Sequence, residues 1–321
     1  MTAPHPALAP YQYRHALPAG DAVKSAAGRD SAPPGRVTAS RAEPDSTAAV
    51  PGRSDDPARE RATPGFDLRR LDPAARPLST GSKVDDRAAT ARLAGELDAL
   101  QELFFADRRF KLLVVLQGTD TSGKDGTIRS VFGPMSPLGV HTVAWKAPTD
   151  DERARDYLWR IHQRVPAAGE IVIFNRSHYE DVLVPRVKGW IDEAETRRRY
   201  RHINDFERLL TDTGTVVLKF LLHISKDEQR QRLQARLDDP GKRWKFAMSD
   251  LDARRHWDDY QRAYADAVAA TGTPWAPWTV VPADSKTHRN LMIATVLQHT
   301  LASLPLRPPP GDPALASLRI D

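Results

Sequence analysis

The chain alternates short unbroken apolar runs with longer stretches in which apolar residues recur every three or four positions. Five runs read as buried strands: residues 112–116 (LLVVL), 140–145 (VHTVAW), 170–175 (EIVIFN), 215–224 (TVVLKFLLHI) and 277–282 (PWTVVP). Their lack of polar alternation is the pattern of strands covered on both faces. Helical spacing appears between them. Residues 85–108 place Leu93, Leu97, Leu100 and Phe104 on one face, and residues 150–165 do so with Tyr157, Leu158 and Ile161. A charged stretch, 193–210, also reads as a helix. Ser225 and Glu228 form a predicted capping box for a basic helix to about Leu237. Asp239-Pro240-Gly241 breaks it, and a further helix from about Ser249 carries Trp257, Tyr260, Tyr264 and Val268. Residues 287–301 close the pattern. Alternating strands and helices predict an α/β fold with a five-stranded, mostly parallel sheet, right-handed crossovers and helices on both faces.

Residues 1–65 do not follow this pattern. With the next few residues, to Pro77, they hold 12 of the 26 prolines, and their only aromatic residues are Tyr11 and Tyr13. Such a segment buries too little apolar surface to offset its ordering entropy, so it reads as a disordered tail, with the folded domain spanning 66–321.

The first run leads directly into GTDTSGKDGTIRSV, a turn followed by a helix carrying Ile128 and Val131. Strand, glycine-bearing loop and helix, with Gly118 and Gly123 spaced as in G-x-x-x-x-G-K, are the context of a P-loop. Its backbone amides cradle phosphate oxygens along the turn from Gly118 to Gly126, and Lys124 neutralises the anion together with the helix N-terminus. Asp125 stands where Ser or Thr commonly supplies a hydroxyl to magnesium. Asp120 offers a carboxylate in its place, a ligand type that hard Mg²⁺ accepts.

A second polar cluster, NRSHYED, ends the third strand. Asn175 occupies the position where an acidic residue is usual, Glu180 lies one turn further on, and Arg176 is placed to meet a phosphate. His178 invites a covalent phosphohistidine reading, but no second feature supports it. Between 225 and 270 the chain is rich in cations, Arg236, Lys242 and Arg243 among them, consistent with a helical lid that closes over phosphates or with a solvated basic face.

Composition sets limits. The 321 residues are 40% hydrophobic and 28% charged, ordinary for a soluble globular protein, and no apolar run approaches the ~20 residues of a membrane span. There is no cysteine, which excludes disulfides, cysteine-ligated metal centres and thiol nucleophiles. The net charge of +5 favours an anionic partner but equally serves solubility.

Taken in order, GTDTSGKDGTIRSVF, WKAPT, FNRSHYEDVLV, DDPGKRWKF, HWDDYQRAYADA and APWTVVPAD followed by Lys286 resemble the polyphosphate kinase 2 family. That resemblance implies a three-layer P-loop kinase fold and a magnesium-dependent transfer between inorganic polyphosphate and nucleotides. Position by position, it implies that Asp120 and Lys124 bind magnesium and phosphate. Arg176 then contacts the transferring group, and Arg236, Lys242 and Arg243 hold the polyanion. Gly118, Gly123, Gly126 and Arg129 complete the phosphate site, Lys146 and Asn175 are assigned to the nucleotide, and Glu180 joins Asp120 as a metal ligand. Asn175 with Glu180, and GKDG in the loop, resemble the subclass that takes both AMP and ADP. A homo-dimer or homo-tetramer in the cytoplasm is the expected state, with no nucleic-acid or membrane partner. Two other readings share the scaffold: an ATP-dependent nucleoside monophosphate kinase, and a non-catalytic regulator that binds nucleotide or polyphosphate. The second predicts a damaged loop, whereas Asp120 and Lys124 are intact.

Overall fold

A computed structural model describes residues 6–14, 66–312 and 318–320. Its sheet contains β1 (Gln12–Tyr13), β2 (Lys111–Gln117), β3 (Val140–Ala144), β4 (Ile171–Asn175), β5 (Thr215–His223) and β6 (Trp278–Pro282) in the order β1-β6-β5-β2-β4-β3. All neighbours are parallel except β1, which runs antiparallel to β6. The central strand is β2. From it the chain passes to β3 and β4 on one side, then returns to β5 and β6 on the other. Such a reversal opens a crevice at the carboxyl ends of the strands.

Because side chains alternate along a strand, β2 feeds two cores. Leu112, Val114 and Leu116 face a cluster that includes Leu97 and Phe104 of α1 (Lys83–Asp107) and Met292 and Leu297 of α10 (Lys286–Ala302). Leu113 and Val115 belong to the opposite cluster. It includes Val182 of α5 (Glu180–Val187), Ile203 and Phe206 of α6 (Glu193–Asp212), and Ala267 and Val268 of α9 (Trp257–Thr271). The result is the expected three layers.

The sheet has six strands, not the expected five. The additional strand comes from the segment read as a tail: Gln12 and Tyr13 pair with Thr279 and Trp278, and Leu8 is fully buried in the first core. Two residues are too few to show an alternation, so the pairing is a tertiary effect. Positions 1–5 and 15–65 of the expected tail lie outside the described residues.

The stretch 150–165 is not one helix. It forms α3 (Asp150–Arg153) and α4 (Trp159–His162), separated where the Asp156 carboxylate accepts from the Leu158 amide and turns the chain. Ser225 does cap α7 (Lys226–Asp238), accepting from the Glu228 amide at 3.1 Å. The return half of the predicted box is missing, because the Glu228 carboxylate instead accepts from Arg232 Nε at 2.6 Å. The expected lid also divides. α7, the turn after it and α8 (Met248–Arg255) overhang the crevice, whereas α9 buries Ala263, Tyr264, Ala267 and Val268 in the second core.

Candidate active site

The loop after β2 has backbone that only certain residues tolerate. Gly118 lies at φ 144°, and a Cβ there would sit 2.7 Å from the Leu222 carbonyl oxygen. Gly123 lies at φ 108°, and its Cβ would fall 1.8 Å from Arg289 Nη1. Gly123 thus allows the loop to close against a buried arginine. Lys124 begins α2 (Lys124–Thr127), which continues as a single wide turn over Ile128–Phe132. The Lys124 ammonium donates to the carbonyl oxygens of Gly118 at 2.7 Å and Thr119 at 3.2 Å. Burial, reinforced by Arg176, lowers its pKa from 10.5 to about 8.

Two further arginines hold this loop by its carbonyls. Arg232 of α7 donates to the carbonyls of Thr121 and Ser122 at 2.9 and 3.1 Å, and also to those of Ala283 and Asp284 after β6. Arg289 of α10 donates to Ser122 at 3.2 Å, and its pKa falls to about 9 through burial and the proximity of Arg232.

Opposite the loop, β4 ends at Asn175, and the chain turns through Arg176 at φ 65°, a conformation uncommon for a residue with a Cβ. The turn directs the Arg176 guanidinium between two carboxylates, Asp120 at 2.5 Å and Glu180 at 3.3 Å. Glu180, and after it Asp120, raises the Arg176 pKa, so its charge is fixed. Asn175 Nδ2 donates to Asp125 Oδ1 at 2.8 Å. The unusual loop aspartate is therefore tied to the unusual strand-end asparagine. His178 points away: it is fully buried against Glu207 at 3.2 Å, within a network that also joins Tyr179 and Lys219. The phosphohistidine reading has no support here.

These residues line a cleft of about 940 Å³. The predicted Asp120, Gly123, Lys124 and Gly126 form its floor with Arg129, while Lys146, Asn175 and Arg176 lie on the sheet side. Arg236 and Lys242 come from the lid. Three predicted residues do not line the cleft. Gly118 is at the foot of the loop, Glu180 is held against Arg176, and Arg243 spends its Nε on the Leu237 carbonyl at 2.7 Å. Trp145 reaches the wall, but its ring packs edge-on against Phe174 and under Arg160.

Several cleft residues had no individual sequence signal. Lys286 and Arg289 lie in the first turn of α10, after the last strand; Lys286 ends the last segment of the family resemblance, whereas nothing local marks Arg289. Asp250, near the start of α8, lies 3.6 Å from Arg236, and burial together with Asp120 raises its pKa. In all, ten lysines and arginines against four carboxylates line the cleft, which makes it a site for a highly charged anion.

Among the described residues no three acidic or imidazole side chains converge as an all-protein metal cage requires. Asp120 and Glu180 each make one bond to Arg176, leaving an oxygen on each without a hydrogen bond. That donor set suits a divalent cation that arrives with phosphates and water, needing only one or two carboxylates.

A P-loop lysine at the switch point of a parallel sheet, an opposing arginine and a basic lid define a P-loop phosphotransferase. Residues 80–306 match the family model for polyphosphate kinase 2, and the chain belongs to that family. It is 52% identical over 256 residues to the AMP/ADP-polyphosphate phosphotransferase of Meiothermus ruber, covering 80% of this chain and 96% of that protein. It is 40% identical over 230 residues to the ADP-polyphosphate phosphotransferase of Rhodopseudomonas palustris, covering 68% and 80%. The crystal structure of polyphosphate kinase 2 from Arthrobacter aurescens superposes with a TM-score of 0.76 at 48% identity, covering 78% of this chain and 90% of that one.

Proposed function

We propose that the protein transfers the terminal phosphoryl group of inorganic polyphosphate to AMP and then to ADP, reversibly, with Mg²⁺. The observation that carries this reading is the cationic excess of the cleft around an intact P-loop. An ordinary nucleoside triphosphate needs fewer positive groups than a chain of linked phosphates.

In this reading the polyanion lies along the lid wall, near Arg236 and Lys242, with its end at the P-loop. Lys124 and Arg176 hold the moving phosphoryl group from two sides, neutralising charge where it spreads in a loose transition state. Arg232 and Arg289 touch the loop's carbonyls, so they fix the loop's shape before substrate arrives, and such alignment lowers the barrier. Lys146 and Asn175 face the nucleotide side. Asp120 and Glu180 would hold the magnesium, which supplies charge neutralisation between donor and acceptor phosphates when bound. No nucleophilic side chain is required, because the nucleotide phosphate oxygen attacks directly.

Asn175 with Glu180 supports the dual AMP and ADP acceptor range, as does the name of the Meiothermus ruber relative. A homo-oligomer in the cytoplasm, where AMP and ADP are at hand, belongs to the same proposal. The test is an assay with two donors. The protein and Mg²⁺ are given AMP with polyphosphate, or a panel of nucleoside monophosphates with ATP, and products are separated by chromatography. ADP followed by ATP, formed only from polyphosphate, is expected. Transfer only from ATP would make the protein a conventional monophosphate kinase.

A further inference from the structure

The positive wall of the cleft continues past its rim. Lys286, the first residue of α10, lines the cleft and also two further depressions of about 590 and 450 Å³. Arg87 of α1 lines both of these, and Arg76 and Lys83 line the smaller one. Lys286 and Arg87 therefore connect three concavities into one path, from the P-loop side of the cleft to the N-terminal end of α1.

The state of these cations is unlike that of many others on the surface. Exposed arginines elsewhere are commonly neutralised by a neighbour on the same helix: Arg92 by Glu96, Arg153 by Asp150, Arg198 by Glu195 and Arg208 by Asp205. Arg76, Lys83, Arg87 and Lys286 are all exposed, and none makes a side-chain hydrogen bond or ion pair with a described residue. The carboxylates along the path are already engaged. Asp98 accepts from the Ser136 amide at 3.2 Å, Asp284 from the Ser225 amide at 2.8 Å and Glu228 from Arg232 at 2.6 Å. Like charge outweighs the opposite sign: the pKa of Lys286 is lowered first by partial desolvation at the cleft rim and then by Arg232, Arg289 and Lys242, with Glu228 opposing them. A folded chain that leaves a row of cations unpaired beside its active site carries repulsion that an extended polyanion would relieve.

We infer that this path, from Lys286 through Arg87 to Lys83 and Arg76, is a second anion-binding surface that holds the distal part of a long polyphosphate chain. The inference rests on the proposed reaction and adds where the unreacted end of the donor lies. A flexible chain of like charges needs no shaped pocket, only cations at intervals. Each additional contact raises the effective concentration of the chain end at the P-loop without touching the chemistry. Long donors then have a lower KM than short ones, with the same kcat, and the advantage fades as salt screens the exposed charges.

The experiment compares wild type with the Arg76→Ala/Arg87→Ala double variant. Long-chain polyphosphate is one donor, and the shortest linear chain that wild type accepts is the other, at saturating AMP. The long-chain KM should rise on the order of tenfold in the variant. The short-chain KM and both kcat values should stay at wild-type levels, and Arg76→Lys/Arg87→Lys should restore the long-chain KM. An unchanged long-chain KM, or an equal rise for both donors, would overturn the surface. Wild type inactive with polyphosphate of any length would instead overturn the proposed function itself, and the two failures are therefore distinct.

Discussion

Lys124 is buried among loop carbonyls, with Arg176 facing it and a pKa lowered to about 8. The group must be protonated to hold the phosphoryl group, so the sign follows: it is charged below about pH 8 and progressively neutral above. We expect kcat/KM for the donor, which reports the free enzyme, to fall as pH rises through about 8. The fall in kcat should come at higher pH, because bound polyanion favours the ammonium. A pH–rate profile checks both limbs, and a kcat/KM that stays flat to pH 10 would remove Lys124 from this role. Lys124→Ala should reduce kcat by about 10²–10³-fold, measured at saturating AMP. Gly123→Ala should lose activity and about 1–3 kcal/mol of stability by denaturant titration, since its φ is positive and its Cβ would collide with Arg289. Lys124 and Arg176 were legible because the loop and the strand exit are local patterns. Arg289 and Asp250 were not. Each is an ordinary charged residue of a helix until tertiary packing brings it to the loop or the lid.

At the scale of elements, the runs of apolar residues located five of the six strands. β2, β4, β5 and β6 are covered on both faces and leave a nearly continuous apolar signature, whereas β3, expected to be buried as well, lies at the sheet edge with none of its residues buried. β1 has no such signature. Its two residues are held by pairing with β6 and by Leu8, fully buried in the first core. Leu8→Ala should therefore cost about 2–5 kcal/mol, the range for a buried leucine, when measured by chemical denaturation. A cost near zero would return this segment to the tail. The lid was legible as a block of charge, but its inner boundary was not. Aromatic and small residues of α9 recur at helical spacing whether they cover a cleft or a core, and only the packing shows that they fill the core. Glu228 makes a similar point: as a cap it fits the sequence pattern, yet the nearby Arg232 guanidinium outcompetes a backbone amide for its carboxylate.

At the scale of the whole molecule, the parallel order of β6-β5-β2-β4-β3 brings three separate chain segments to one crevice: the loop after β2, the turn after β4 and the lid after β5. None of the three forms a site alone. Their meeting, joined by Lys146 after β3 and by Lys286 and Arg289 of α10, places ten cations around a loop whose own lysine has its pKa lowered by burial, and this explains why a bound polyanion should tighten the assembly as well as react in it. Addition of polyphosphate should accordingly raise the melting temperature, an effect that high salt diminishes. Direct transfer from polyphosphate to nucleotide is the central claim, and the phosphorus itself can be followed. Radiolabelled polyphosphate is mixed with unlabelled AMP, Mg²⁺ and the protein, and nucleotides and protein are separated over time. The account predicts label in the β-phosphate of ADP first, then in the β- and γ-phosphates of ATP, with none retained on the protein. Unlabelled nucleotides would contradict the claimed donor, and label held covalently by the protein would contradict direct transfer.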